Sequence, residues 1–202
     1  MEAFWLSLFL VFLAELGDKT QLVALLLAAR YRAGVVLLAI FLATLAVHAL
    51  SVALGGATSR FLPQAWIYFL SGLAFVGFGW WTWRGDTLED EADYSSRGWR
   101  SPLVIVFVTF FLAELGDKTM LSTVTLAASR DLLPVWVGST LGMVVSDALA
   151  IGVGRILGKQ LPERAIKVGA ALIFVLFGLY YLYGGGLELW RLYLPGPGPG
   201  PL

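Results

Sequence analysis

The sequence predicts an all-α polytopic membrane protein with six transmembrane helices, arranged as two three-helix repeats of opposite orientation. Three observations lead to this prediction. Hydrophobic residues make up 58% of the chain and charged residues 14%, and the mean hydropathy is +0.80, outside the range of soluble proteins. Six apolar stretches follow one another along the 202 residues. The second half of the chain repeats the first.

Each apolar stretch is long enough to cross a bilayer as a helix, which takes about 20 residues. The six predicted spans cover residues 4–28, 34–57, 65–83, 102–128, 133–157 and 165–187. We do not expect the first span to be a cleaved signal peptide, because it lacks a basic leader and a small-residue cleavage site. Little of the chain remains for a soluble domain.

A shift of 99 residues relates the two halves. It aligns residues 12–79 with 111–178 without a gap, and 26 of the 68 pairs are identical, which indicates a common origin. We predict a first three-helix repeat at residues 1–83 and a second at 102–194. Because three is an odd number of spans, the second repeat enters the membrane upside down relative to the first.

Basic residues between the spans or near the span ends are distributed unevenly between the two sides of this arrangement. One side carries nine, namely Arg30, Arg32, Arg84, Arg97, Arg100, Arg155, Lys159, Arg164 and Lys167. The other side carries three, namely Arg60, Arg130 and Arg191. The positive-inside rule places the nine-charge side in the cytoplasm and both termini outside. In a bacterium, this membrane would be the inner membrane of the cell.

Two segments read as connectors. Residues 84–101 contain an acidic run with glycine and serine, which predicts a solvated cytoplasmic linker, with cation capture as an alternative. Residues 195–202, PGPGPGPL, predict a disordered tail. The formal net charge of zero gives no reason to expect a nucleic-acid partner.

The nonapeptide FLAELGDKT occurs at residues 12–20 and again at 111–119, each time inside an apolar stretch. On a continuous helix its Glu, Asp and Lys share one face, because spacings of three and four residues stack on one side. An Asp or Lys facing lipid at a helix centre costs about 2.5–3.5 kcal/mol, so these faces must point inward. An inverted repeat then brings both copies together near the bilayer midplane. The ionisable residues are Glu15, Asp18, Lys19, Glu114, Asp117 and Lys118.

The composition of this shared site favours a divalent cation. Four carboxylates and two lysines leave a nominal charge of minus two, which one divalent cation or two protons would neutralise. Thr20, Thr119 and Gln21 add oxygen ligands suited to manganese, calcium or magnesium, whereas the chain offers no cysteine and one histidine. Neighbouring carboxylates repel one another, so protons compete with the metal, which is the physical basis of antiport. We expect Lys19 and Lys118 to pair with the acids when the ion is absent.

A further pair of equivalent positions lies near mid-membrane, with His48 in the second span corresponding to Asp147 in the fifth. We interpret Asp147 as an accessory metal ligand or a proton relay. His48 either takes part in proton coupling and charge balance or is a buried histidine with an ordinary hydrogen bond.

Three alternatives stay open from the residues alone. Buried acid–lysine pairs can simply hold helices together, with Gly17 and Gly116 allowing close packing. The letters LGD on two helices are compatible with an intramembrane aspartyl protease, although each Asp here comes with a Glu and a Lys. A passive divalent-cation channel would differ from an exchanger in lacking uphill flux driven by protons.

The two copies of E-x-G-D-K-[T/S], one opening each half with an acidic loop between them, resemble a family of divalent-cation/proton exchangers. That family includes Golgi manganese and calcium transporters and bacterial manganese exporters. The resemblance covers residues 4–187 and implies export of Mn²⁺ or Ca²⁺ from the cytoplasm in exchange for protons. It implies a transporter without enzymatic activity or a tightly bound cofactor, whose partners are the cation, protons and the lipid bilayer. Oligomerisation stays open. The motif falls on Glu15, Gly17, Asp18, Lys19, Thr20, Glu114, Gly116, Asp117, Lys118 and Thr119.

Overall fold

The computed structural model of the chain describes residues 1–84, 101–157 and 163–193. Within these ranges all regular structure is α-helical, which confirms the predicted all-α class. The predicted tail, residues 195–202, lies outside the described residues. So does the predicted linker, residues 84–101, except for its two end residues. The helices are α1 (Glu2–Glu15), α2 (Lys19–Arg30), α3 (Ala33–Phe61), α4 (Gln64–Arg84), α5 (Pro102–Glu114), α6 (Lys118–Ser129), α7 (Leu132–Leu157) and α8 (Glu163–Tyr193).

Four helices in the described part of the chain are long and apolar enough to cross a membrane individually. They comprise Ala33–Phe61, Gln64–Arg84, Leu132–Gly154 and Val168–Tyr193. These ranges correspond to the second, third, fifth and sixth predicted spans. The chain is therefore an integral membrane protein that crosses the bilayer several times.

The first and fourth predicted spans are each interrupted. α1 ends at Glu15 and α2 begins at Lys19, while α5 ends at Glu114 and α6 begins at Lys118. The prediction that the Glu, Asp and Lys of each copy share one face of a continuous helix is therefore wrong. The cause is the glycine of each copy, which has a φ of +74° at Gly17 and +82° at Gly116. This left-handed backbone conformation cannot continue a right-handed helix.

The long helices α4 and α8, which are equivalent in the two halves, pack against each other in antiparallel orientation. At one end the Trp66 Nε1 donates to the Tyr193 hydroxyl over 3.4 Å. Towards the other end, Gly79 packs against the backbone of Ala171. The residue numbers thus rise along one helix as they fall along the other.

Several contacts between the halves join residues that are equivalent in the repeat. The rings of Phe75 and Phe174, 99 positions apart, stack with centroids 6.1 Å apart. The Thr44 hydroxyl donates to Met143 Sδ over 3.3 Å, again across 99 positions. The helix contacts are also reciprocal. Helix α1 packs on α7, and its equivalent α5 packs on α3. Helix α2 likewise packs on α7, and its equivalent α6 packs on α3. The broken helices of each half therefore rest on the long helix of the other half.

Small residues set the distance between α4 and α8. A Cβ atom on Gly72 would lie 2.8 Å from the carbonyl oxygen of Gly178, and one on Gly178 would lie 2.9 Å from that of Gly72. Both distances are too short for a side chain. Glycine at these two positions lets the helix backbones touch, which is the packing that stabilises helix pairs in membranes.

Candidate metal site

Each helix break is closed by a turn and fixed by a threonine beyond it. The Asp18 amide donates to the Glu15 carbonyl over 3.0 Å, and the Asp117 amide donates to the Glu114 carbonyl over 3.2 Å. The hydroxyl of Thr119 donates to Glu114 Oε2 over 2.6 Å, and Thr20 donates to Glu15 Oε1 in the same way. The first turn of α2 or α6 thus orients the glutamate that ends the preceding helix. In this arrangement the two hydroxyls predicted as metal ligands serve as donors to the glutamates.

The glycine N–H of each break is bonded to the side chain four residues later. Gly17 donates to Gln21 Oε1 over 2.9 Å, and Gly116 donates to Met120 Sδ over 3.1 Å. The Gln21 amide nitrogen also donates to the Ser146 hydroxyl over 2.8 Å. The oxygen of Gln21, predicted as a metal ligand, therefore already accepts a hydrogen bond. Gln21 ties the first break to α7, next to Asp147.

Ser146, beside the predicted ligand Asp147, is a site residue that had no predicted role of its own. The sequence signal that points to Ser146 is a loss of symmetry between the repeats. In the repeat alignment Ser146 corresponds to Val47, and Gln21 corresponds to Met120. A polar pair in one half thus replaces an apolar pair in the other. Both members of that polar pair are buried, which is the usual sign of a hydrogen bond.

The two breaks meet inside the protein. Lys118 Nζ lies 2.8 Å from Asp18 Oδ1, with the two side chains 4% and 1% exposed. A motif lysine thus pairs with an acid of the opposite repeat. The side chain of Lys19 lies outside the described part of the structure.

Asp18 of this ion pair and four further buried carboxylates form one cluster. Glu15 interacts electrostatically with Glu114, Asp147 and Asp18, and Glu114 interacts with Asp117 as well. All five side chains belong to residues that are at most 4% exposed. The structure therefore brings the four acids of the two motifs into one cluster and adds Asp147 to it.

Several carboxylate oxygens of the cluster lack hydrogen-bond partners among the described residues. They are Glu15 Oε2, Glu114 Oε1 and both oxygens of Asp147. A buried anionic oxygen without a donor is unstable unless a proton or a cation compensates it. Such oxygens lie in both halves of the protein.

The described residues do not form a complete metal centre. No group of three or more His, Cys, Asp or Glu side chains within them has the geometry to hold an ion. His48 Nδ1 lies 3.5 Å from the Thr140 hydroxyl, and Nε2 has no hydrogen-bond partner in the described part of the chain. A role for His48 in proton coupling stays a prediction. To hold an ion, the carboxylates would have to close around it.

Comparison with known proteins identifies the family. The family model described as "Divalent cation/proton antiporter GDT1" matches residues 3–90 and 102–188. A "Putative manganese exporter" of Vibrio cholerae is 38% identical over 182 residues, covering 89% of this chain and 90% of that protein. The "Divalent cation/proton antiporter GDT1" of Saccharomyces cerevisiae is 25% identical over 235 residues, covering 91% and 84%. No solved structure matches significantly. The chain therefore belongs to the GDT1 family of divalent cation/proton antiporters, and it is a transporter and not an enzyme.

Proposed function

We propose that this protein exports Mn²⁺ or Ca²⁺ from the cytoplasm in exchange for protons, using a carboxylate site near the bilayer midplane. The observation that carries the proposal is the buried cluster of five carboxylates at the meeting point of the two helix breaks. Buried ionisable groups in a membrane protein mark ion and proton pathways, because lipid cannot stabilise them. The antiport activity of the family supplies the reaction that such a cluster would serve.

We propose six membrane spans in two inverted repeats, counting α1 with α2 as one span and α5 with α6 as another. The antiparallel packing of the equivalent helices α4 and α8 supports opposite orientations of the two halves. The two matched family segments, 3–90 and 102–188, support the division into repeats. Broken helices that meet near the midplane are typical of transporters with inverted repeats. The excess of basic residues on one side then favours external termini.

The broken helices give the site its mechanism. A cation bound by Glu15, Asp18, Glu114 and Asp117 would take over the role that Lys118 has beside Asp18. Asp147, whose oxygens lack partners in the described part of the chain, would supply a further oxygen. Protons and the cation both neutralise these carboxylates, so binding of one displaces the other. That exclusive occupancy couples the two fluxes.

Manganese is the first candidate for the substrate. The site offers carboxylate and hydroxyl oxygens, which suit Mn²⁺, Ca²⁺ and Mg²⁺ alike. The relative named as a manganese exporter is 38% identical and aligned over nearly its whole length, which favours Mn²⁺. Calcium is the second candidate on the same oxygen chemistry.

Transport by purified protein in liposomes tests the proposal. Uptake of Mn²⁺, Ca²⁺ and Mg²⁺ should be measured with and without an imposed pH gradient. We expect Mn²⁺ to accumulate against its own gradient when protons flow the other way, and we expect a Glu15→Gln variant to lose this uptake. Flux that only equalises Mn²⁺ across the membrane, whatever the pH gradient, would identify a channel and contradict the proposal.

A further inference from the structure

A narrow apolar groove lies between α4 and α8, away from the carboxylate cluster. It has a volume of about 280 Å³ and wholly apolar walls. Its bottom is formed by the small residues Gly79 and Ala171, where the two helices approach closely, and its sides include Trp80, Trp83 and Leu172. The last three side chains are 56%, 65% and 59% exposed. The groove therefore opens towards the surroundings of the protein.

The positively charged side chain of Arg84 lies at the rim of this groove. The guanidinium carbon of Arg84 lies 5.4 Å from the ring centroid of Trp80, which forms part of the wall. This cation–π contact holds the charge beside the opening. Arg84 is exposed at the end of α4, and the exposed Arg164 lies in the first turn of the antiparallel α8, at the neighbouring end. An occupant of the groove would thus have an apolar part inside and meet positive charge outside.

The dimensions of the groove distinguish between its two natural occupants, a lipid chain and a helix of a second copy. From Val76 to Trp83 the wall covers seven residue steps, or about 10 Å at 1.5 Å per residue. A helix about 10–12 Å across would occupy roughly 800–1,100 Å³ over that length, several times the volume of the groove. The groove therefore takes a slender occupant such as a single hydrocarbon chain and cannot enclose a helix.

We propose that this groove binds one acyl chain of an anionic phospholipid, whose phosphate contacts Arg84. Tryptophan at both Trp80 and Trp83 fits this assignment, because indole rings favour the headgroup level of a bilayer. The negative charge of the headgroup complements the arginine, and anionic lipids attract basic residues next to a membrane span. Lipid binding is separate from cation transport. In the proposed orientation the Arg84 end of α4 faces the cytoplasm, which places the lipid in the cytoplasmic leaflet. Only this choice of leaflet rests on the proposed orientation.

Native mass spectrometry of the full-length protein in detergent tests this site without a transport assay. The probes are phosphatidylglycerol and phosphatidylcholine with identical acyl chains. We expect preferential binding of phosphatidylglycerol, and an Arg84→Ala variant should lose about fivefold of that affinity, as for one basic residue near an anionic surface. Arg191→Ala, at the opposite end of α8, is the matched control and should bind as the parent does.

A second pair of variants tests the groove itself. Leu172→Trp should fill it and weaken the binding of both lipids, whereas Leu176→Trp, one turn along the same exposed side of α8, should not. The proposal would be overturned if Arg84→Ala and Arg191→Ala changed lipid binding equally. Equal effects of Leu172→Trp and Leu176→Trp would also overturn it. So would a dimer of the parent protein that Leu172→Trp dissociates, because the groove would then be an interface between two copies.

Discussion

Lys118 Nζ lies 2.8 Å from Asp18 Oδ1, so a lysine of one repeat neutralises an acid of the other inside the protein. The two residues come from separate copies of the same nonapeptide, 100 positions apart in the chain. Because each copy interrupts a helix, its charged residues are carried by a turn and by helix ends. The ion pair therefore joins the two interruptions.

Removal of the lysine of this pair should be costly, because it leaves the acid cluster without this positive neighbour. Lys118→Gln leaves the Asp18 carboxylate buried without its 2.8 Å partner, and we expect a loss of about 3–5 kcal/mol in the free energy of unfolding. Adding Asp18→Asn to Lys118→Gln should recover most of that loss. A double-mutant cycle measured by denaturant unfolding in detergent gives the coupling. Glu2→Gln is the control, because Glu2 is 94% exposed at its 3.9 Å contact with Arg130, and it should change nothing measurable. Additive effects of Lys118→Gln and Asp18→Asn would contradict this prediction.

Neutralising any acid of the two motifs should stop transport without unfolding the protein. Removal of a buried negative charge relieves desolvation, so folded and inserted protein should persist while Mn²⁺ flux in liposomes falls to near background. Asp131→Asn is the control, since Asp131 is exposed at the start of α7, and it should transport normally. Robust transport by any two of the four motif variants would rule out a single shared site. These variants are Glu15→Gln, Asp18→Asn, Glu114→Gln and Asp117→Asn.

The break in the second half should depend on glycine at position 116. A Cβ there meets no neighbour within 4 Å, so the cost of Gly116→Ala comes from its φ of +82° alone. We expect a loss of about 1–2 kcal/mol in the free energy of unfolding. Gly77→Ala is the control, because Gly77 lies inside α4 and its Cβ also meets nothing, and it should be neutral or slightly stabilising. Equal stability of both variants would show that the left-handed turn is not required.

The tether between Gln21 and Ser146 should act through the position of Asp147. Gln21→Met offers the Gly17 amide a thioether acceptor, as Met120 does for Gly116 in the second half. It removes the 2.8 Å hydrogen bond to Ser146. We expect a weaker apparent affinity for Mn²⁺ in liposome transport, by about tenfold for a bond worth about 1.4 kcal/mol. Ser146→Ala should have the same effect, and the double variant should be no worse than either single one. Independent, multiplying effects would exclude this tether.

The orientation can be tested with single cysteines, because the chain has none of its own. Gly34→Cys, in open space near the start of α3, should resist an impermeant thiol reagent in intact cells and react after permeabilisation. Gln64→Cys, exposed at the start of α4, should react in intact cells. The reverse pattern would place the termini in the cytoplasm.

The membrane class and the position of the long helices could be predicted from the sequence because apolar length decides them. The helix breaks could not. A glycine within an apolar run is compatible with close helix packing as well as with a left-handed turn, and only the surrounding contacts select between them. The hydrogen bond from Gln21 to Ser146 joins residues 125 positions apart, so no local pattern reveals it. From the sequence Gln21 is predicted only as a ligand, whereas the structure shows that its amide also holds the break in place.

The most direct test of the central claim, that protons and metal compete for the same carboxylates, is the pH dependence of apparent Mn²⁺ affinity in liposomes at a clamped membrane potential. If metal binding displaces two protons, the affinity should fall by up to about 100-fold per pH unit on acidification, because metal binding to protonated ligands releases their protons. The transport rate should also be independent of voltage, since one divalent cation exchanges for two protons. A pH-independent affinity, or a rate that depends strongly on voltage, would contradict the account.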